Sequence, residues 1–208
     1  GSVCCWSATC EGCWAYAGRF AGGKGLNQAI AAARCGAETS LCAAVGDDES
    51  GVILREALTA AGVAPLLAVD ATAPTGIAHI LSLPDGDNAI VVAAGANGAL
   101  SAAEAVLAVE GAAVGLAQLE VPVAAVEAGL RAARAAGVTT VLNAAPASLD
   151  ALALLDAVDV LVVNETERDE LGGVDALRAA VAGCVVVTRG GAGVAVHRAG
   201  ADPLELSA

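Results

Sequence analysis

Val158-Asp-Val-Leu-Val-Val-Asn164-Glu-Thr-Glu167 is an apolar run that gives way at Asn164 to the start of a helix. Successive apolar positions, with no polar alternation, describe a strand covered on both faces, as in a parallel sheet. The same handover recurs on either side. Val114 to Leu119 is followed by Glu120 and by Pro122 at the first turn of a helix ending near Gly137. Val138 to Asn143 and Cys184 to Thr188 are further short apolar strands, separated by helical stretches. Towards the N-terminus, Asn27 to Arg34 reads as a helix, Thr39 to Val45 as a strand and Glu49 to Ala61 as an amphipathic helix. Ser101 and Glu104 have capping-box spacing and open a helix expected to reach about Glu110. Alternating strands and helices predict an α/β fold, a mainly parallel sheet with helices on both faces. One pair breaks the rhythm. Ile77 to Leu83 and Ala89 to Ala93, joined by Pro84-Asp85-Gly86-Asp87, predict a hairpin flap outside the main sheet.

A chain of 208 residues, 57% hydrophobic and 16% charged, is long enough to bury a sizeable core. Its net charge of −13, with only ten Lys and Arg, argues against a nucleic-acid surface, which needs clustered basic residues. The longest uncharged stretch, Asn88 to Ala103, is interrupted by Gly95, Asn97, Gly98 and Ser101 and is too short to span a membrane. With no basic region leading into an apolar run near residue 1, a cytoplasmic location is expected.

Residues 1–21 differ from the rest. They hold all four aromatic residues, Trp6, Trp14, Tyr16 and Phe20, and Cys4, Cys5, Cys10 and Cys13 of the seven cysteines. Cys10 and Cys13 form one C-x-x-C pair, but a structural zinc site needs a second pair, and a redox pair needs a preceding strand. This segment is expected to pack irregularly, without strands and without metal. The regular domain runs over 22–208.

In sheets of this kind, ligands bind at the carboxyl ends of the strands. Gly22-Gly23-Lys24-Gly25-Leu26-Asn27 opens the first helix. Gly18 to Lys24 fits the first part of a phosphate-binding loop, yet Gly25 stands where Ser or Thr would hold magnesium, and no apolar strand precedes it. What remains is a glycine-rich turn offering backbone N–H groups, with Asn27 adding an amide suited to sugar hydroxyls or a plain helix cap. Glu120 is either a hydroxyl acceptor at a strand end or a charge favourable to the following helix. Glu167 either caps its helix or, beside Asn164, suits magnesium and phosphate contacts. Thr188-Arg189-Gly190-Gly191-Ala192-Gly193 allows close backbone approach to a ligand, or is a hairpin turn.

As an ordered set these segments, together with Gly95-Ala96-Asn97, Gln118-Leu119-Glu120 and Asn143-Ala-Ala-Pro-Ala147, resemble the PfkB-type carbohydrate kinases. The Gly-Gly-Lys-Gly-x-Asn form is closest to their ribokinase type. The resemblance implies a ribokinase-like three-layer fold with a small β lid containing the 77–93 hairpin. It implies ATP-dependent phosphorylation of ribose, giving ribose 5-phosphate, or of a similar pentose. Gly22, Gly23, Lys24, Gly25, Asn27 and Glu120 would then contact sugar. Asn164 and Thr188, Arg189, Gly190, Gly191, Ala192 and Gly193 would contact ATP, and Glu167 would help to place Mg2+. A monovalent cation and a homodimer formed through the lid also belong to the complete family fold.

Two departures accompany the matches. Cys4 and Trp6 occupy positions where the family has a sugar-gripping Asn and Asp. The family's Gly-Ala-Gly-Asp motif, which supplies the general base and an anion-binding helix start, is expected past residue 208. Ala199-Gly200-Ala201-Asp202 is the nearest string and reads as a turn after the strand Val194 to Arg198. No catalytic residue is therefore assigned, and an inactive fragment or pseudoenzyme that binds sugar or dimerises is the alternative.

Overall fold

A computed structural model describes residues 2–7, 18–82 and 88–208, and the side chains of residues 20–80 and 90–208. It divides into two compact units, residues 1–100 and 101–208.

The first unit contains β1 (Ser2–Ser7), β2 (Gly18–Ala21), α1 (Lys24–Arg34), β3 (Thr39–Gly46), α2 (Glu49–Ala60), β4 (Val63–Asp70), β5 (Ile77–Ser82) and β6 (Asn88–Ala93), followed by a 3-10 turn at Gly95–Ala99. β5 and β6 form the expected antiparallel hairpin, Ile77 opposite Ala93 and Ser82 opposite Asn88. Its tip at 83–87 lies outside the described residues. Parallel β3 and β4 make a separate two-stranded sheet. Around it Leu26, Ala29, Val45, Leu54, Leu58 and Val63 form a small core with the apolar faces of α1 and α2.

The expectation that residues 1–20 lack strands is corrected here. The hairpin belongs to a four-stranded sheet of order β2-β1-β5-β6. β1 runs parallel to β5, Ser2 beside Ile77 through Ser7 beside Ser82, and β2 returns antiparallel to β1. The physical reason lies in the backbone. β5 has a second hydrogen-bonding edge facing away from β6, and Ser2-Val-Cys-Cys-Trp-Ser7 has strand-forming composition whatever its side chains would do chemically. Cys10 and Cys13 lie outside the described residues.

The second unit contains α3 (Ala102–Leu107), β7 (Val114–Gln118), α4 (Val123–Ala135), β8 (Thr139–Asn143), a 3-10 stretch at Leu149–Ala157, β9 (Val160–Asn164), α5 (Glu165–Glu170), α6 (Val174–Ala180), β10 (Cys184–Thr188), a 3-10 turn at Gly190–Ala192, β11 (Val194–Arg198) and β12 (Leu204–Leu206). Its sheet has the order β12-β11-β10-β9-β8-β7. β7 to β10 are mutually parallel, and β11 and β12 are added antiparallel, so the sheet is mainly parallel as expected. Leu142, Leu161, Val163, Val185 and Val187 project from one face into a core with Val126 and Leu130 of α4, Leu154 and Leu155, and Leu177 of α6. The predicted capping box starts α3: the Ser101 N–H donates to Glu104 Oε2 at 2.8 Å, and the Glu104 N–H donates to Ser101 Oγ at 3.3 Å. The helix ends at Leu107, three residues before the expected Glu110, in turns leading to Gly111.

One buried polar junction ties the amino ends of β8 and β9 together. Thr140 is fully buried; its N–H and hydroxyl donate to Asp159 Oδ2 at 2.8 and 2.9 Å, with the hydroxyl shared with the Ala157 carbonyl at 2.7 Å. The Thr140 N–H above all, then its hydroxyl and the Arg134 guanidinium, hold the Asp159 carboxyl below its ordinary range against the opposing effect of burial. A depressed carboxylate stabilises the fold above its unfolded value of about 3.9, and that stabilisation fades as pH falls through the folded value. Asp159→Asn is therefore expected to lower the urea midpoint at pH 7. The gap from wild type should narrow steadily as unfolding is repeated from about pH 5 down to about pH 3.

Candidate active site

The carboxyl ends of the four parallel strands each carry a polar residue, Gln118, Asn143, Asn164 and Thr188. Register places Gln118 beside Asn143, Asn143 beside Val162, and Asn164 beside Thr188. Glu120 follows β7 by two residues, so it lies at the β7 end of this edge. Asn164, Glu167 and the 188–193 loop lie at the β9–β10 end. Strands about 4.8 Å apart put roughly 14 Å between the β7 and β10 ends of the row. That span separates two neighbouring polar stations along one edge.

At the β7 end, the Glu120 N–H donates to Gln118 Oε1 at 2.7 Å, and Glu120 is half-buried. Leu119 anchors this turn across the edge by donating its N–H to the Ala145 carbonyl at 3.2 Å. Ala144 and Ala145, in the Asn143–Ala147 segment, are buried beneath it.

At the β9 end, Asn164 and Glu167 cap α5 reciprocally. The Glu167 N–H donates to Asn164 Oδ1 and the Asn164 N–H donates to Glu167 Oε2, both at 2.8 Å. The capping alternative for Glu167 is thus realised, and it leaves room for the other: a carboxylate has about four acceptor sites, and this box uses one. Among the described residues no group of three or more His, Cys, Asp or Glu is arranged to hold a metal ion. Gln also serves at the third position of a capping box, so Glu167→Gln is expected to leave the unfolding midpoint nearly unchanged. Asn164→Ala should cost about 1 kcal/mol in urea unfolding. Any loss of magnesium-dependent ATP binding in Glu167→Gln then reports the charge and not the cap.

The 188–193 loop joins β10 to β11 through the 3-10 turn. The Arg189 N–H donates to the Gly193 carbonyl at 2.8 Å, and the Gly193 N–H to the Gly190 carbonyl at 3.0 Å. Gly190 has φ +54 and a Cβ added there would meet open space, so its glycine leaves backbone accessible. Gly193 has φ +88, and a Cβ there would collide with the Leu206 carbonyl oxygen, so it is glycine for the sake of β12. The Arg189 guanidinium pairs with Glu205 of β12.

In the first unit, Gly22 is buried and Gly23, the residue before α1, takes φ 105, which only glycine adopts without strain. α1 starts at Lys24, three residues earlier than expected, so Lys24, Gly25 and Asn27 all lie in its first turn. The Asn27 N–H donates to the Gly23 carbonyl at 3.0 Å, and the Asn27 side chain is exposed.

Sequence reasoning passed over Asp48 and Thr75. Asp48 caps α2 by accepting from the Gly51 N–H at 2.8 Å, and it also accepts from the Thr75 N–H at 2.8 Å and the Thr75 hydroxyl at 2.6 Å. Asp48 three residues before Gly51 at a strand-to-helix junction was the available signal for the cap. Nothing local signals its partner 27 residues on.

Ala199 and Gly200 form the turn between antiparallel β11 and β12, with Gly200 at φ +68, and Asp202 is exposed. Asp202 leads into a strand and not into the start of a helix.

A mainly parallel sheet with polar residues along its carboxyl edge belongs to the class of α/β folds that bind small molecules at their strand ends. The pattern of the pfkB family of carbohydrate kinases matches residues 16–203, and the chain belongs to that family. It is 39% identical to the ribokinase of Staphylococcus aureus over 159 residues, 74% of this chain and 52% of that protein. With the Haemophilus influenzae ribokinase it shares 36% identity over 197 residues, 86% of this chain and 64% of that protein. The structure of Arabidopsis thaliana ribokinase complexed with ribose and ATP superposes with a TM-score of 0.78 at 28% identity, covering 99% of this chain and 75% of that one. The chain thus spans between about half and two thirds of the length of these curated relatives. No helix among the described residues is long and apolar enough to cross a membrane.

Proposed function

We propose that this chain carries the sugar-binding and nucleotide-binding elements of an ATP-dependent kinase that phosphorylates ribose, or a similar pentose, on its hydroxymethyl group. The observation that carries the reading is the row along the sheet edge, with Glu120 at one end and Asn164, Glu167 and the 188–193 loop at the other. Roughly 14 Å between the ends of that row suits a sugar at one station and nucleotide phosphates at the next. The kinship with ribokinases, one of them holding ribose and ATP, supports the choice of ligands.

In this reading Gly22, Gly23, Lys24, Gly25 and Asn27 bind sugar hydroxyls through the open first turn of α1, and Glu120 accepts a hydrogen bond from one hydroxyl. Asn164 and Thr188 to Gly193 line the nucleotide station. Glu167 holds Mg2+, which when bound neutralises charge on the transferring phosphate. The four-stranded sheet β2-β1-β5-β6 acts as a lid, and its β6 edge, where Ile90, Val91 and Val92 are more than half exposed, pairs two copies. The place of action is the cytoplasm.

Calorimetry with ribose, fructose and adenosine tests the sugar station. Ribose is expected to bind at least tenfold more tightly than either competitor. Adenosine binding without ribose binding would overturn the assignment. ATP titrated with and without Mg2+ tests the second station, and binding is expected to strengthen with the metal.

A further inference from the structure

The root of the β5–β6 hairpin is built more tightly than a plain connection requires. On the outgoing side, a Cβ on Gly76 would collide with Asn97 Nδ2 and with the Ala94 carbonyl oxygen. On the returning side, Gly95 has φ +51, and a Cβ there would collide with the Pro74 carbonyl oxygen. That carbonyl accepts from the Ala96 N–H at 2.8 Å. The two legs of the hairpin are therefore pinched together at 74–76 and 94–97.

Asp48 grips this pinch. Its two oxygens take three donors: Gly51 N–H at the start of α2, and both the N–H and the hydroxyl of Thr75. Thr75 is 2% exposed, and its hydroxyl oxygen in turn accepts from the Gly46 N–H at 2.9 Å. A Cβ on Gly46 would lie 2.6 Å from Ala73 O and from Thr75 N, so the hairpin leg is pressed directly on the end of β3. The carboxyl is held below its ordinary range by the Thr75 hydroxyl first, then by the Thr75 and Gly51 N–H groups, and is charged at neutral pH.

From this root a chain of backbone pairing runs on: β5 pairs β1, β1 pairs β2, and β2 ends at Ala21, where Gly22-Gly23 enters α1. We propose that Asp48 is a positioning residue for sugar binding, fixing the hairpin root and through β5, β1 and β2 the Gly22–Asn27 turn. The proposal rests on the reading of that turn as part of the sugar station. Asp48 touches no substrate and acts through Thr75.

Asp48→Asn separates this role from helix capping. Asn caps helices as well as Asp does, so one oxygen can keep Gly51. An amide has only one acceptor oxygen, and one of the Thr75 donors must then face an NH2 group. Thr75→Val is the second variant, keeping shape and N–H while losing the hydroxyl, and Thr75→Ser is the conservative control. Hydrogen exchange of the 77–80 and 90–93 amides is measured against those of α2 and β3, beside ribose calorimetry. In Asp48→Asn and Thr75→Val, hairpin exchange is expected to rise by about tenfold or more and ribose affinity to fall by about tenfold, with α2 unchanged within about twofold. Thr75→Ser should resemble wild type. Unchanged hairpin exchange, an equal rise throughout α2 and β3, or faster hairpin exchange with ribose affinity intact would each overturn the proposal. A wild-type chain that binds no ribose would refute the sugar station itself, a result visible before any variant is made.

Discussion

Residues 1–208 produced alone are expected to form ADP from ATP and ribose at least a thousandfold more slowly than the roughly 1–100 per second of working kinases. Phosphoryl transfer to a hydroxyl needs a base within reach of its proton, and general-base catalysis is typically worth about 10²–10⁴ in rate. Donors preorganised at the developing charge contribute about another 10²–10³. In the family both come from a Gly-Ala-Gly-Asp segment at a helix start. Here the nearest string, Ala199 to Asp202, lies in the β11–β12 hairpin and leads into a strand. Asp202 is exposed in that connection. Asp202→Asn is therefore expected to leave the residual rate unchanged within about twofold, in a coupled assay of ribose-dependent ADP release. Fast turnover that this one substitution abolishes would overturn both the placement of the base and the reading of the turn.

Much of the second unit was legible because each of its parallel strands is a short apolar run ending in a polar residue. In β8, β9 and β10 one face is buried and the other only partly covered, yet Val and Leu occupy both faces, which gives apolar runs with little alternation. The capping boxes at Ser101 and Asn164 were legible for a different reason, since both partners sit three residues apart. The elements that escaped depend on partners far away in the chain. β1 and β2 hold only Val3 and Ala21 of the Val- and Ala-rich signature common among the other strands; β1 is held by the open edge of β5, and β2 by β1. β4 contains Pro65, which argues against a strand, but in a two-stranded sheet one side of β4 needs no donor. β12 is three residues long and carries too little pattern to be read by itself. The Asp48–Thr75 grip bridges 27 residues, and no local spacing announces it. The polar row on the sheet edge was legible residue by residue; its order came only from strand register.

Replacing Glu120 by Gln is expected to weaken ribose binding by about 3- to 10-fold, because the amide oxygen still accepts but lacks the charge that roughly doubles the strength of the bond. The side chain keeps its shape, and the contact that holds the turn uses the Glu120 backbone N–H with Gln118, so the fold should persist. The competing role, a charge complementing the start of α4, makes a different prediction. α4 begins at Val123 after Pro122, which puts Glu120 outside its first turn, where dipole effects have largely died away. That role would move the urea midpoint by a few tenths of a kcal/mol at most and leave ribose affinity alone. Asn27→Ala should weaken ribose binding as well, although Asn27 belongs to the other unit. An unchanged ribose affinity in Glu120→Gln, with only the unfolding midpoint shifted, would assign the carboxylate to the helix and remove it from the sugar station.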